Sequence, residues 1–158
     1  MGQHVRRLLC QSLIFSNMEY CAPSWYFGLS NALRESLNVL QRKCARFSLG
    51  WGPRSHIGDA EFSSLNWLHF SQRVTFFSLV HAYKVRNGLS PTYISEGFSS
   101  ISDIHSHNLR QSSVNFSLAH CHSPTGTFSR RVIRDWNSLP KEIKESISLA
   151  IFKASLMR

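Results

Sequence analysis

Along most of this chain apolar residues recur every three or four positions, the spacing of one face of an α-helix, rather than every second position. Gln3 to Asn17 is the first such stretch. Val5, Leu8, Leu9, Leu13, Ile14 and Phe15 spread over much of its circumference. A helix apolar on most sides has to be covered on most sides, and 158 residues supply few layers to cover it, so a patch around Val5, Leu9 and Leu13 is expected to stay exposed in this chain. Ser30 to Phe47 predicts a second helix. Its stripe of Leu33, Leu37, Leu40, Cys44 and Phe47 is close to heptad spacing, and Arg42 and Arg46 stand opposite it, one turn apart. Gly50 to Pro53 then breaks the chain.

A third, long helix is predicted from Ser71 to Asn87, with Gly88 as its C-terminal cap. Phe70, Val74, Phe77 and Val85 fall on one face; Phe76, Leu79, Val80 and Tyr83 fall on another. Two apolar faces predict a central position between layers. From Ser95 to Thr127 the helical period is lost and Ser and His are frequent. Within it Val114, Phe116 and Leu118 alternate with polar residues, which predicts one short strand in a hairpin. Helical period returns at Phe128. Phe128, Val132, Trp136 and Leu139 share a face, Arg130 and Arg134 project from the opposite one, and Arg131 lies at its edge. Pro140 ends this helix, and Ser148 can cap a second short one carrying Leu149, Phe152 and Leu156.

The whole pattern predicts a mainly α fold, a helical bundle of about four to six helices with a short β-hairpin in the C-terminal half. Three parts are expected. Residues 1–94 form a helical domain, 95–127 a Ser/His-rich hairpin or loop, and 128–158 an amphipathic helix pair packing on the first domain. A chain of 158 residues can bury one core and a satellite subdomain. Its 42% apolar content excludes intrinsic disorder.

Charge points to a class of partner. The formal net charge is +9 and the pI is near 10.0, which favours an anionic partner. Thirteen of the 18 basic residues are Arg, whose planar guanidinium suits bidentate phosphate contacts and stacking. The candidate nucleic-acid-binding residues are therefore Arg42, Arg46, Arg130, Arg131 and Arg134, against the plainer role of a solvated helix face. No membrane partner is expected: the charge-free apolar stretches around Leu8 to Met18 and Val74 to Tyr83 are too short to span. Met1-Gly2 hints at acylation, but Arg6 stands where that signal needs Ser or Thr. Cys10, Cys21, Cys44 and Cys121 show no close pairing, so a reduced intracellular compartment, cytoplasmic or nuclear, is expected rather than secretion.

Two chemical constellations need weighing. His105, His107, His120, Cys121 and His122 supply five potential zinc ligands within eighteen residues. Their spacing is not that of paired finger ligands, and an extended strand would put Cys121 on the other side from its flanking histidines, so a polar, His-bearing hairpin is favoured over a metal site. Cys21 and Cys121 are conceivable nucleophiles, but no glycine-rich elbow frames either. Neither a metal, nor a cofactor, nor a catalytic residue is assigned. Trp25, Trp67 and Trp136 sit in apolar patterns that predict core anchors. Trp51, between two glycines, is the one kept as a possible base stacker.

The order of several segments resembles a known family. Phe128 to Leu156 reads as Phe, a basic helix, Trp-Asn-Ser-Leu-Pro, then Ser-Leu-x-x-Phe-Lys-x-x-Leu. Upstream come Met18-Glu19-Tyr20-Cys21-Ala22-Pro23-Ser24-Trp25, then Leu37 to Leu49 with its Leu-x-x-x-Gln-Arg-x-x-x-Arg pattern. Leu65 to Tyr93 follows, with Leu-x-Trp-Leu and Gly-Leu-x-Pro-x-Tyr, and then Leu109-Arg110-Gln111-Ser112-Ser113. Together these resemble the region after the polymerase palm of non-LTR (LINE-type) retrotransposon reverse transcriptases.

The resemblance implies a thumb-like helical region and its C-terminal supports, with RNA or an RNA–DNA hybrid and the palm and fingers of the same polymerase as partners. It does not imply catalysis by this chain. Such polymerases hold two metal ions in a Tyr- or Phe-x-Asp-Asp turn. Here the aspartates are Asp59, Asp103 and Asp135, no two of them adjacent. The alternative expectation is a protein-interaction or structural module from a degenerate or repurposed reading frame.

Overall fold

Local caps fix most helix ends. In the computed structural model, which describes residues 1–101, 114–118 and 128–157, the chain is mainly α-helical. Helix α1 (Gln3–Leu9) runs into a π-helical segment (Cys10–Phe15) and then α2 (Ser16–Glu19). Cys21, at φ +50°, turns the chain into α3 (Ala22–Trp25). Ser30 starts α4 (Asn31–Leu49) by accepting a hydrogen bond from Leu33 N at 3.3 Å. Gly50 ends it at φ +75°, the left-handed conformation that lets Trp51 N donate to Arg46 O at 2.9 Å. In α5 (Asp59–Ser64) the Glu61 carboxylate accepts from Gly58 N. The long α6 (Phe70–Arg86) ends at Gly88, φ +66°, with Leu89 N donating to Lys84 O at 2.8 Å. Short α7 (Thr92–Ser95) follows Pro91. The last three helices are α8 (Phe128–Ser138), α9 (Lys141–Lys144) and α10 (Leu149–Leu156), the last capped by Ser148 as its sequence suggests.

Contacts divide the chain into two units, Met1–Val74 and Thr75–Arg158. In the first, α1 packs against α4. Phe15, Met18, Tyr26, Phe62, Trp67 and Phe70 fill the core, and Phe15 meets Trp67 edge-on at 4.6 Å. The first helix is only partly buried, and the patch expected to stay exposed is exposed. Cys10, Phe15 and Met18 are buried, but Val5, Leu8, Leu9 and Leu13 stay exposed because α4 covers one side of it. Gln41 is buried in this unit. Its Nε2 donates to Leu68 O at 2.8 Å and its Oε1 accepts from Phe70 N at 2.9 Å, so one carboxamide satisfies both polar groups of the chain entering α6.

The second unit closes around the rest of α6. Leu79, Val80, Tyr83 and Val85 pack with Val132, Ile133, Trp136 and Phe152 in one core. Tyr83 and Phe152 stack at 4.6 Å. The predicted two-faced burial of α6 is in part a division along its length: Phe70 and Val74 belong to the first core and Leu79 to Val85 to the second. The expected hairpin is not shown. Among the described residues a single antiparallel bridge joins Ser100 and Phe116. What holds Phe116 is Asn137, whose Oδ1 accepts from Phe116 N at 3.1 Å and whose Nδ2 donates to Phe116 O at 2.8 Å. Trp136 Nε1 donates to Val114 O at 2.8 Å. Lys144, also buried, donates to Asn115 Oδ1 and to Asn137 O at 2.8 and 2.9 Å. Burial, with Arg86 nearby, lowers its pKa.

Replacing Gln41 or Asn137 by Leu keeps most of the volume but strands a buried N–H and C=O. Each substitution is expected to cost about 1–3 kcal/mol in chemical denaturation. A change within about 0.5 kcal/mol would show that the carboxamide is dispensable.

Candidate nucleic-acid interface

Helix α8 is strongly one-sided. Val132, Ile133 and Trp136 are buried, and the arginines lie away from that core. Arg134 is exposed, while Arg130 and Arg131 are half-buried. Arg130, Arg131, Arg134 and Asp135 line one pocket of about 210 Å³. Three of the five arginines expected to contact phosphate thus come together on a single short helix. Burial raises the pKa of Asp135, and the nearby Arg131 partly offsets that. Sequence reading passed over Asp135, although its position four residues after Arg131 was a usable signal.

The other two arginines have partners on their own unit. Arg42 forms an ion pair with Glu35, and this bond, with a second from Asn38, holds the Glu35 carboxyl below the usual range. Arg46 Nε donates to Ser55 O at 2.7 Å and so ties the loop after α4 back to the helix. Both arginines lie in the first unit, and the α8 arginines lie in the second.

Two further features belong to the first unit. Leu9, Leu13, Ile14, Leu40 and Phe47 line an apolar groove of about 360 Å³ over Cys10 and Cys44, with Lys43 at its edge. Burial, and then the neighbouring Cys10, pushes the Cys44 thiol up to about 12, so it stays a protonated, small apolar group. A polar pocket of about 300 Å³ holds Asn38, Arg42 and the His69–Asp59 pair, whose Nε2–Oδ1 distance is 2.9 Å.

The tryptophans divide as expected. Trp67 and Trp136 are buried, Trp25 packs against the first core, and Trp51 is 46% exposed. Among the described residues no group of three or more His, Cys, Asp or Glu is placed to hold a metal ion. His105, His107, His120, Cys121 and His122 lie outside the described residues, as do Leu109 to Ser113. No described helix is long and apolar enough to cross a membrane. No protein-family model matches the chain, and neither the curated proteins nor the solved structures yield a match.

The raised pKa of Asp135 makes a signed prediction. Its charged form is disfavoured in the fold, so wild type should lose stability relative to Asp135→Asn as pH rises from the ordinary aspartate range through the raised value. Above that value the difference should be constant. Melting curves of both proteins across about pH 3 to 7 check this. A difference that shrinks with rising pH would mean that the pairing with Arg131 outweighs burial.

Proposed function

We propose that this chain grips the sugar–phosphate backbone of RNA or an RNA–DNA hybrid without reading sequence. On this reading it corresponds to the post-palm region of the LINE-type reverse transcriptases it resembles, and supplies hold rather than catalysis. The observation that carries the reading is the convergence of Arg130, Arg131 and Arg134 on one pocket, with Asp135 as the acidic residue lining it among the described residues. A half-buried guanidinium pays less side-chain entropy on binding than a free one, and three together can neutralise adjacent phosphates. The ordered run of family-like segments and the net charge of +9 support the same reading.

Fluorescence anisotropy with a labelled RNA–DNA hybrid at two salt concentrations tests it. Micromolar binding that weakens steeply with salt is expected. Changing Arg130, Arg131 and Arg134 to Gln should lower affinity and flatten the log–log salt slope by about 2 to 3, with the melting temperature held. Binding indifferent to the triple change would refute the assignment. A collapse in stability would show that these arginines are structural.

The apolar groove favours a second reading, a protein-interaction module. Leu13 is 64% exposed on its rim, so Leu13→Glu should preserve the melting temperature. Exposed apolar surface of this kind promotes association. Light scattering should show self-association of the wild-type chain and a monomer for Leu13→Glu. Equal, monomeric behaviour of both proteins would count against this second reading.

A further inference from the structure

The loop after α4 presents an aromatic ring in a fixed position. Arg46 clasps both of its ends: the Arg46 carbonyl accepts from Trp51 N at 2.9 Å, and Arg46 Nε donates to Ser55 O at 2.7 Å. Between them Ser55 N donates to Gly52 O at 3.1 Å, closing a turn through Pro53. Six residues are thereby held rigid, yet the Trp51 indole is 46% exposed, and no other ring lies against it among the described residues. A large apolar side chain on a pinned loop is costly to leave in water.

Two cations with no acidic partner among the described residues touch or belong to this loop. A Cβ built on Gly50 would lie 2.7 Å from Arg6 Nη2, so the Arg6 guanidinium rests on the start of the loop. Arg6 Nε is buried and has no hydrogen-bond partner among the described residues. Arg54, three residues after Trp51, is exposed. The acidic residues of this unit are engaged elsewhere: Glu19 with Arg73, Glu35 with Arg42, Asp59 with His69 and Glu61 with Gly58 N. An exposed ring on a loop against whose first residue an arginine rests, its Nε unpartnered among the described residues, fits one ligand chemistry, a flat aromatic group joined to an anion.

We infer that the Gly50–Ser55 loop binds one unpaired nucleotide, the base stacking on Trp51 and the phosphate meeting Arg6. The inference rests on the nucleic-acid reading above and deepens it: the α8 arginines hold backbone generally, and this loop selects single-stranded substrate. The stack needs an exposed base face, which a blunt duplex offers only at its ends.

The test compares a labelled single-stranded RNA with a blunt RNA–DNA hybrid, using wild type, Trp51→Ala, Trp51→Phe and Arg6→Gln. Trp51→Ala is expected to weaken single-strand binding about tenfold and hybrid binding by less than about twofold. Trp51→Phe should recover most of the loss, because a phenyl ring still stacks. Arg6→Gln should weaken the single strand more than the hybrid. Equal losses on both ligands, or a single-strand affinity indifferent to Trp51, would overturn the inference; in the latter case the indole serves another class of partner. Hybrid binding absent from wild type would instead overturn the underlying nucleic-acid reading. Melting curves confirm that the substitutions spare the fold.

Discussion

Each unit of this protein depends on one carboxamide, buried in Gln41 and part-buried in Asn137, that does the work of a missing backbone partner. Gln41 answers Leu68 O and Phe70 N; Asn137 answers both polar groups of Phe116. Both segments leave regular hydrogen bonding at a point where water is excluded. An unpaired buried amide is expensive, so the side chain that supplies its partner decides where the segment lies. Phe70 and Phe116 then anchor the two cores. Remove the carboxamide and the aromatic anchor has no fixed backbone beneath it.

The same device sets up the arginine face. Trp136 and Asn137 turn inward, to Val114 and Phe116. Helical geometry then puts Arg134, two positions before Trp136, on the far side of the cylinder in water, and Arg131 and Arg130, five and six positions before it, along the margin. The basic surface is thus the back of a tightly specified contact. It is presented by a helix that cannot roll without breaking hydrogen bonds to the 114–118 segment.

Much of the helical skeleton was legible because its signals are local. Ser30, Gly50, Gly88, Pro140 and Ser148 each mark a helix end within four residues of the bonds they make or prevent. Apolar spacing found α4, α6, α8 and α10 for the same reason. The roles of Gln41 and Asn137 were not legible, since their partners lie 21 to 29 residues away and carry no period. Of the candidate site, the α8 cluster followed from a helical wheel. The commitments of Arg42 to Glu35 and of Arg46 to Ser55 did not. One is a seven-residue reach along a helix and the other depends on how a loop folds back. The exposed flank around Val5, Leu9 and Leu13 was legible from chain length: an apolar pattern reports the capacity for burial, and 158 residues provide few neighbours to supply it.

The π-helical stretch from Cys10 to Phe15 has a bearing on how this chain tolerates change in length. A π turn holds one more residue than an α turn, so the stretch behaves as an insertion absorbed inside a helix. Upstream of it Arg6 rests on Gly50; at its last residue Phe15 meets Trp67 edge-on. The widened turn lies between those two contacts and so contributes to their relative phase. Excising one residue from it offers the helix a regular ladder, but only by rotating one anchor relative to the other. The irregularity is a spacer that fixes the angle between a cation and an aromatic ring, and its length is as much a part of the design as the residues at either end.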